Sequence, residues 1–215
     1  MSEILYPFGA TIYHGKASEE FQKFLEKSAD LSRRKGKPMG SRLAGNIEGQ
    51  VEGSFNLNKF KRMIQPHLVE YLHHCYSRLD QYSISDDTTH DKVDYDHVEF
   101  DFGNGPWFNF MKANEFNPLH NHSGFISAVI MIDVPEIIEE ENRNNNGSNM
   151  PCRGQLEWVY ENQSGLSYHG TYKVIPKTGD IFLFPADLKH QVYPFTSDVE
   201  RITMSFNIHE LNLDQ

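Results

Sequence analysis

His120 and His122 stand two positions apart in Asn117 to Ile132, NPLHNHSGFISAVIMI, at the start of an alternating apolar run. Residues two apart in a strand leave the same face, so both imidazoles can share one metal ion. A third imidazole, His190, and a guanidinium, Arg201, come from Gly179 to Asn207, GDIFLFPADLKHQVYPFTSDVERITMSFN. Arg201 opens the strand-like run RITMSFNI, which puts Arg201, Thr203, Ser205 and Asn207 on one face. Three neutral imidazoles on one triangular face of a metal leave the opposite face open for co-substrate. A fixed guanidinium beside them offers a planar, two-pronged grip to an anion. One histidine in a strand is usually structural; two at this spacing with a third beside an arginine strand imply a mononuclear metal centre inside a β-barrel.

The elements that must position these residues are strands. Val93 to Phe102 alternates polar and apolar residues, and after the turn Gly103-Asn104-Gly105 the run Pro106 to Met111, PWFNFM, begins the next strand. Further strands are expected near 117–122, 125–133, 155–161, 167–175, 180–184, 189–194 and 200–208. Eight strands from Pro106 onward is the count of a jelly roll, or double-stranded β-helix. Trp107, Phe108, Phe110, Phe125, Phe182, Phe184 and Phe206 read as core or pocket walls, and Tyr168, His169 and Tyr172 as facing either pocket or solvent. Asp180, after Gly179, reads as turn chemistry.

Support helices precede the barrel, after a short β-like stretch at 8–14. Ser18 reads as an N-cap with Glu19 and Glu20 in the first turn and Phe21, Phe24, Leu25 and Leu31 at helical spacing; the helix ends within 34–40, where Arg33, Arg34, Lys35 and Lys37 decorate its C-terminus. Asn56 or Asn58 caps a second helix carrying Phe60, Met63, Ile64, Leu68, Tyr71, Leu72, Cys75 and Leu79, with Pro66 as a kink. His67, His73 and His74 lack the i, i+4 spacing of a helical metal site and read as structural or solvent-facing. Residues 41–54 are Gly-rich with room for one short strand, and 83–91 form an acidic connection. Pro135 to Gly154, acidic and Asn-rich, has the composition of an insertion that packs no core of its own; it reads either as a lid or substrate-contacting loop or as a disordered hairpin tip with no role. The expected organisation is one domain, 1–215: a helical support region, 1–92, and a jelly-roll core, 93–215, with the insertion at 135–154.

A formal charge of −10 and a pI near 5.5 disfavour a general nucleic-acid or membrane-surface binder, because phosphates repel such a field. The expected partner is a small-molecule or peptidyl substrate. Two cysteines, Cys75 and Cys152, form no disulfide framework or zinc knuckle, so a reducing compartment is expected. The N-terminus lacks the pattern of a secretory signal, and no apolar run approaches the roughly 18 residues of a membrane span. The expectation is a soluble, cytoplasmic protein.

WFNFM from Trp107, NPLHNHSGFISAVIMI, GQLEW, PKTGDIFLFPADLKHQVYPF and RITMSFNI together resemble the 2-oxoglutarate- and Fe(II)-dependent oxygenase superfamily. The resemblance runs over about residues 105–209 and is greatest to the small, prolyl-hydroxylase-like oxygenases common in phages and marine bacteria. It implies Fe(II), 2-oxoglutarate and dioxygen, and hydroxylation of a peptidyl or small-molecule substrate with release of succinate and CO2. His120 and His190 match the family's metal histidines, and Arg201 its grip on the far carboxylate of 2-oxoglutarate. Thr203 would donate a second hydrogen bond to that carboxylate, and Asn109 and Asn117 would reach the co-substrate. No residue beyond the metal centre is required as a catalytic acid or base. His122 departs from the usual pattern, in which that position carries a carboxylate. Three histidines, a carboxylate from Asp133 or Glu157, or a different metal would each complete the face, and the most similar subgroup shares the H-x-H. Two other classes compete: a cupin-type metal enzyme without 2-oxoglutarate, and a non-catalytic jelly-roll binding module.

Overall fold

The computed structural model describes residues 3–5, 9–82, 98–144, 147–160 and 170–213. The expected strand portion 93–97, the connection 83–91, Tyr168 and His169 lie outside them. Strands β1 (Glu3–Leu5) and β2 (Ile12–Lys16) lead into helix α1 (Glu19–Lys35), strand β3 (Gly49–Glu52) and helix α2 (Leu57–Tyr82). Then follow β4 (Val98–Phe102), β5 (Trp107–Met111), β6 (Asn117–His120), β7 (Ile126–Asp133), α3 (Glu136–Arg143), β8 (Leu156–Val159), β9 (Thr171–Val174), β10 (Asp180–Pro185), β11 (Lys189–Val192) and β12 (Arg201–Leu213). The larger sheet runs β1-β2-β10-β7-β12-β5-β3, with β4 also paired to β12, and the smaller runs β6-β11-β8-β9. All pairings between these strands are antiparallel. This is the expected jelly roll, mainly β with helices ahead of it.

The larger sheet is buried on both faces, which is why β5 and β10 read as continuous apolar runs rather than alternations. One set of side chains, including Phe108, Phe110, Ile126, Ile130, Ile181, Leu183, Met204 and Phe206, packs under α1 and α2 against Phe21, Leu25, Phe60, Ile64 and Leu68. The opposite set faces the smaller sheet: Met131, Phe182 and Phe184 meet Leu156, Trp158 and Leu188. The helices thus back the sheet and leave its inner face free for a site.

Both helices start where the sequence signals. Ser18 Oγ accepts from the Phe21 amide at 3.2 Å, and Asn56, rather than Asn58, caps α2 by accepting from the Lys59 amide at 2.9 Å. Of the cations at the end of α1, Arg33 pairs with Glu200 and lies 3.9 Å above the Phe110 ring, while Arg34, Lys35 and Lys37 are exposed. His67 is structural, its Nδ1 2.7 Å from Tyr13 Oη. Phe125 is corrected from core wall to surface, being 62% exposed. Neither Cys75 nor Cys152 is in a disulfide among the described residues. Among the described residues no helix is long and apolar enough to cross a membrane.

The insertion is more ordered than its composition implies. Its first half forms α3, whose Ile138 is fully buried beside Met111 and Phe195. Glu141 anchors that helix to the segment before β12, accepting from the amides of Thr196 and Ser197 and from both their hydroxyls at 2.7–3.0 Å. Burial alone would raise the Glu141 carboxyl, but these four donors outweigh it and hold the pKa at about 2. The stabilisation is therefore complete above the usual carboxylate value and lost as pH falls toward 2. Glu141→Gln is expected to cost about 1–2 kcal/mol at pH 7, by urea denaturation, with the difference from wild type shrinking below about pH 4.5.

Candidate metal centre

Two adjacent strands of the smaller sheet and the loop that follows one of them bring His120, His122 and His190 together, with ligand atoms all within 4.8 Å of one another. His120 ends β6 and His190 lies opposite it on β11, in direct register, so sheet pairing alone sets them side by side. Their ring centroids are 4.4 Å apart; His122 completes a triangle at 4.8 Å from His120 and 5.1 Å from His190. His122 is not on the strand as expected. β6 stops at His120, and His122 is placed by its amide, which donates to Ala186 O at 2.8 Å.

The chemistry of the three rings suits a cation. His120 Nδ1 lies 2.6 Å from Pro118 O and His190 Nδ1 3.0 Å from Leu188 O. A carbonyl only accepts, so each Nδ1 carries the proton and each Nε2 keeps a free lone pair. Burial pushes all three pKa values down, and repulsion from His120 adds to the shift of its neighbours: His122 falls to about 4 and His190 to about 3. The rings are neutral at pH 7, the form that binds metal.

Neither Asp133 nor Glu157 joins them. Asp133 is exposed at the end of β7. Glu157 is buried, but it alternates with the inward-facing Leu156 and Trp158 and points away, accepting from Tyr193 Oη at 2.5 Å and Gln191 Nε2 at 2.6 Å. Asp180 is likewise structural, bridging His14, Lys16 and the Lys177 amide.

Arg201 lines the same cavity as the histidines and is 2% exposed. Its Nη1 donates to Gly154 O at 2.7 Å, its Nη2 lies 2.8 Å from Met111 Sδ, and its Nε has no partner. Burial lowers its pKa to about 10, which still leaves it charged. Gly154, at the end of the insertion, must be glycine: its φ is +67°, and a Cβ there would stand 2.2 Å from Ile138 Cγ2. Asn109 Nδ2 donates to Thr203 Oγ1 at 3.1 Å and Ser205 Oγ at 3.3 Å, and Asn109 Oδ1 accepts from Gln50 Nε2 at 2.9 Å. The sequence-derived residues Asn109, Asn117, His120, His122, His190, Arg201 and Thr203 thus all line one cavity. Sequence reasoning missed Gln50, Met111 and Gly154, whose contacts depend on strand register and a distant loop.

Fold and cavity together define a double-stranded β-helix with a three-histidine cluster and a buried arginine between its sheets. Residues 105–207 match the family described as "Putative 2OG-Fe(II) oxygenase". The match, just under half of the chain, is to a family of oxygenases whose cofactors are Fe(II) and 2-oxoglutarate. No curated protein matches. Among solved structures, the fold is similar to a Pseudomonas putida prolyl-4-hydroxylase, at 18% identity and a TM-score of 0.32 over 47% of this chain and 50% of that one. The chain therefore spans about half the length of that enzyme. It is also similar to a Trichoplax adhaerens prolyl hydroxylase in complex with a hypoxia inducible factor peptide fragment, at 12% identity and a TM-score of 0.47 over 92% and 83% of the two chains. HygX from Streptomyces hygroscopicus, with nickel, 2-oxoglutarate and hygromycin B bound, gives 10% identity and a TM-score of 0.47 over 92% and 82%.

Proposed function

We propose that the chain is a dioxygenase that hydroxylates a peptidyl or small-molecule substrate while 2-oxoglutarate leaves as succinate and CO2. Arg201 is the observation that carries this reading. It is a fully buried cation in the cavity of three neutral imidazoles, and among the described residues its partners include no carboxylate. A buried charge without a counter-charge is costly, so an anion is what the arrangement lacks.

The residues fit the class's cofactors. The free Nε2 atoms of His120 and His190, with His122, would hold Fe(II), and Arg201 with Thr203 would hold the far carboxylate of 2-oxoglutarate. When bound, Fe(II) and 2-oxoglutarate supply the oxidation: one oxygen atom of dioxygen enters succinate and the other a substrate C–H bond. The chain's own part is to bind, orient and keep dry. Asn109 orients the Thr203 hydroxyl, and Met131, Leu156, Phe184 and Val192 wall the cavity with apolar surface that excludes water. No side chain has to carry a proton in this scheme.

The test is anaerobic titration of the Fe(II)-loaded chain with 2-oxoglutarate, followed by visible absorption. A charge-transfer band that saturates with 2-oxoglutarate is the expected result; tightly bound metal with no such band would sink the reading in favour of a cupin-type enzyme.

A further inference from the structure

Gln50 lies on β3, outside the segment that matches the oxygenase family, yet its side chain lines the cavity. It is 1% exposed, and the bond from its Nε2 to Asn109 Oδ1 fixes the carboxamide, so that Oε1 is held in place with no hydrogen-bond partner. Asn117, from β6 of the other sheet, presents a second buried oxygen, Oδ1, that also lacks a partner. The two carboxamides converge beneath Gly45. A Cβ at that position would stand 2.6 Å from Asn117 Oδ1 and 2.7 Å from Gln50 Nε2, so any larger residue there has to push the carboxamides aside. Buried acceptors without donors are rare in native proteins, because the hydrogen bonds they made to water are not returned. Two of them, reaching one cavity from separate sheets, point to a ligand that brings the donors.

The lining says what kind of donor. Arg201 is the one residue with a permanent charge in the cavity wall, and no Asp or Glu is among the described residues there. A cationic donor such as an ammonium would be buried without a counter-charge, whereas an uncharged N–H or O–H needs only the acceptors. Leu43, Ala44 and Ile47, flanking Gly45, add an apolar cover. We infer that Gln50 and Asn117 are a specificity-determining pair that accepts hydrogen bonds from an uncharged donor on the primary substrate, and that the loop yields at Gly45 to admit it. This rests on the dioxygenase reading, which gives the Arg201 side of the cavity to 2-oxoglutarate and leaves this side to the substrate.

The test uses the full chain loaded with Zn(II), a redox-inert ion, and 2-oxoglutarate, with 2-oxoglutarate binding measured first by calorimetry. The probes are N-methylacetamide and N,N-dimethylacetamide, which differ by a single N–H, and binding is read by saturation-transfer NMR. The secondary amide is expected to bind about tenfold more tightly. Asn117→Ala, which removes an acceptor, and Gly45→Ala, whose methyl crowds both carboxamides, are each expected to erase that preference in protein that circular dichroism shows to be folded. Equal binding of the two probes to the wild type, including none of either, overturns the inference; so does a preference that survives in both folded variants. Should a variant not fold, the wild-type comparison decides alone. Failure of 2-oxoglutarate to bind in the first step would instead remove the dioxygenase reading.

Discussion

Arg201→Met is expected to weaken 2-oxoglutarate binding by about 100-fold or more, while leaving the ligand-free protein within about 1 kcal/mol of wild-type stability. The first half follows from the low-dielectric site: a buried guanidinium meeting a carboxylate makes charge-assisted hydrogen bonds that no apolar side chain replaces. The second half follows from the same burial. Without ligand, the guanidinium is held by one carbonyl and one sulfur, and its Nε is unpartnered. Methionine leaves Gly154 O without a donor but removes an uncompensated charge, and these changes oppose one another. The two proteins are thus expected to unfold at similar temperatures alone and to separate on adding 2-oxoglutarate, because only a ligand that binds the native state raises stability. Calorimetric titration and thermal unfolding with and without 2-oxoglutarate check both halves. An equal upward shift in both proteins would show that Arg201 is not the carboxylate's partner.

His190→Ala is expected to lower Fe(II) affinity by roughly 10²–10³-fold, since a structural site of four ligands is worth about 10–16 kcal/mol, or roughly 3 kcal/mol for each. His190 is the most buried of the three rings, and its orientation is fixed twice, by Leu188 O at Nδ1 and by Phe184, whose ring centroid lies 4.8 Å away. His122→Asp is expected to behave differently, keeping metal at near wild-type affinity, because it restores a carboxylate at the position where the superfamily usually carries one. Anaerobic equilibrium dialysis with metal analysis separates the cases. Full occupancy in His190→Ala would mean that the metal lies elsewhere.

Much of the cavity was legible in the sequence because its residues obey local rules. The alternation from Arg201 to Asn207 and the caps at Ser18 and Asn56 depend on neighbours a few positions away, whereas His122 joins the cluster from the loop after β6 and not from the strand face that its spacing implied. What escaped depends on distant pairing. Gln50 reads as part of a Gly-rich loop, and only the register of β3 with β5, which sets Gln50 opposite Asn109, brings it to the site. Met111 and Gly154 hold Arg201 across 90 and 47 positions of sequence. The insertion misled for another reason: its acidic, Asn-rich composition hides one fully buried isoleucine, Ile138, and one carboxylate, Glu141, that takes four donors from Thr196 and Ser197 and a fifth from Arg153, enough to fasten a short helix.

The two-sided burial of the larger sheet gives β12 a parity that any survey of variants will meet. Met204, Phe206 and Ile208 look toward the helices, and Arg201, Thr203, Ser205 and Asn207 look into the cavity. Even-numbered substitutions will therefore be read out as loss of soluble protein, and odd-numbered ones as well-folded protein with altered chemistry. Along this strand the two kinds of constraint, foldability and activity, alternate residue by residue, so each can change without dragging the other with it.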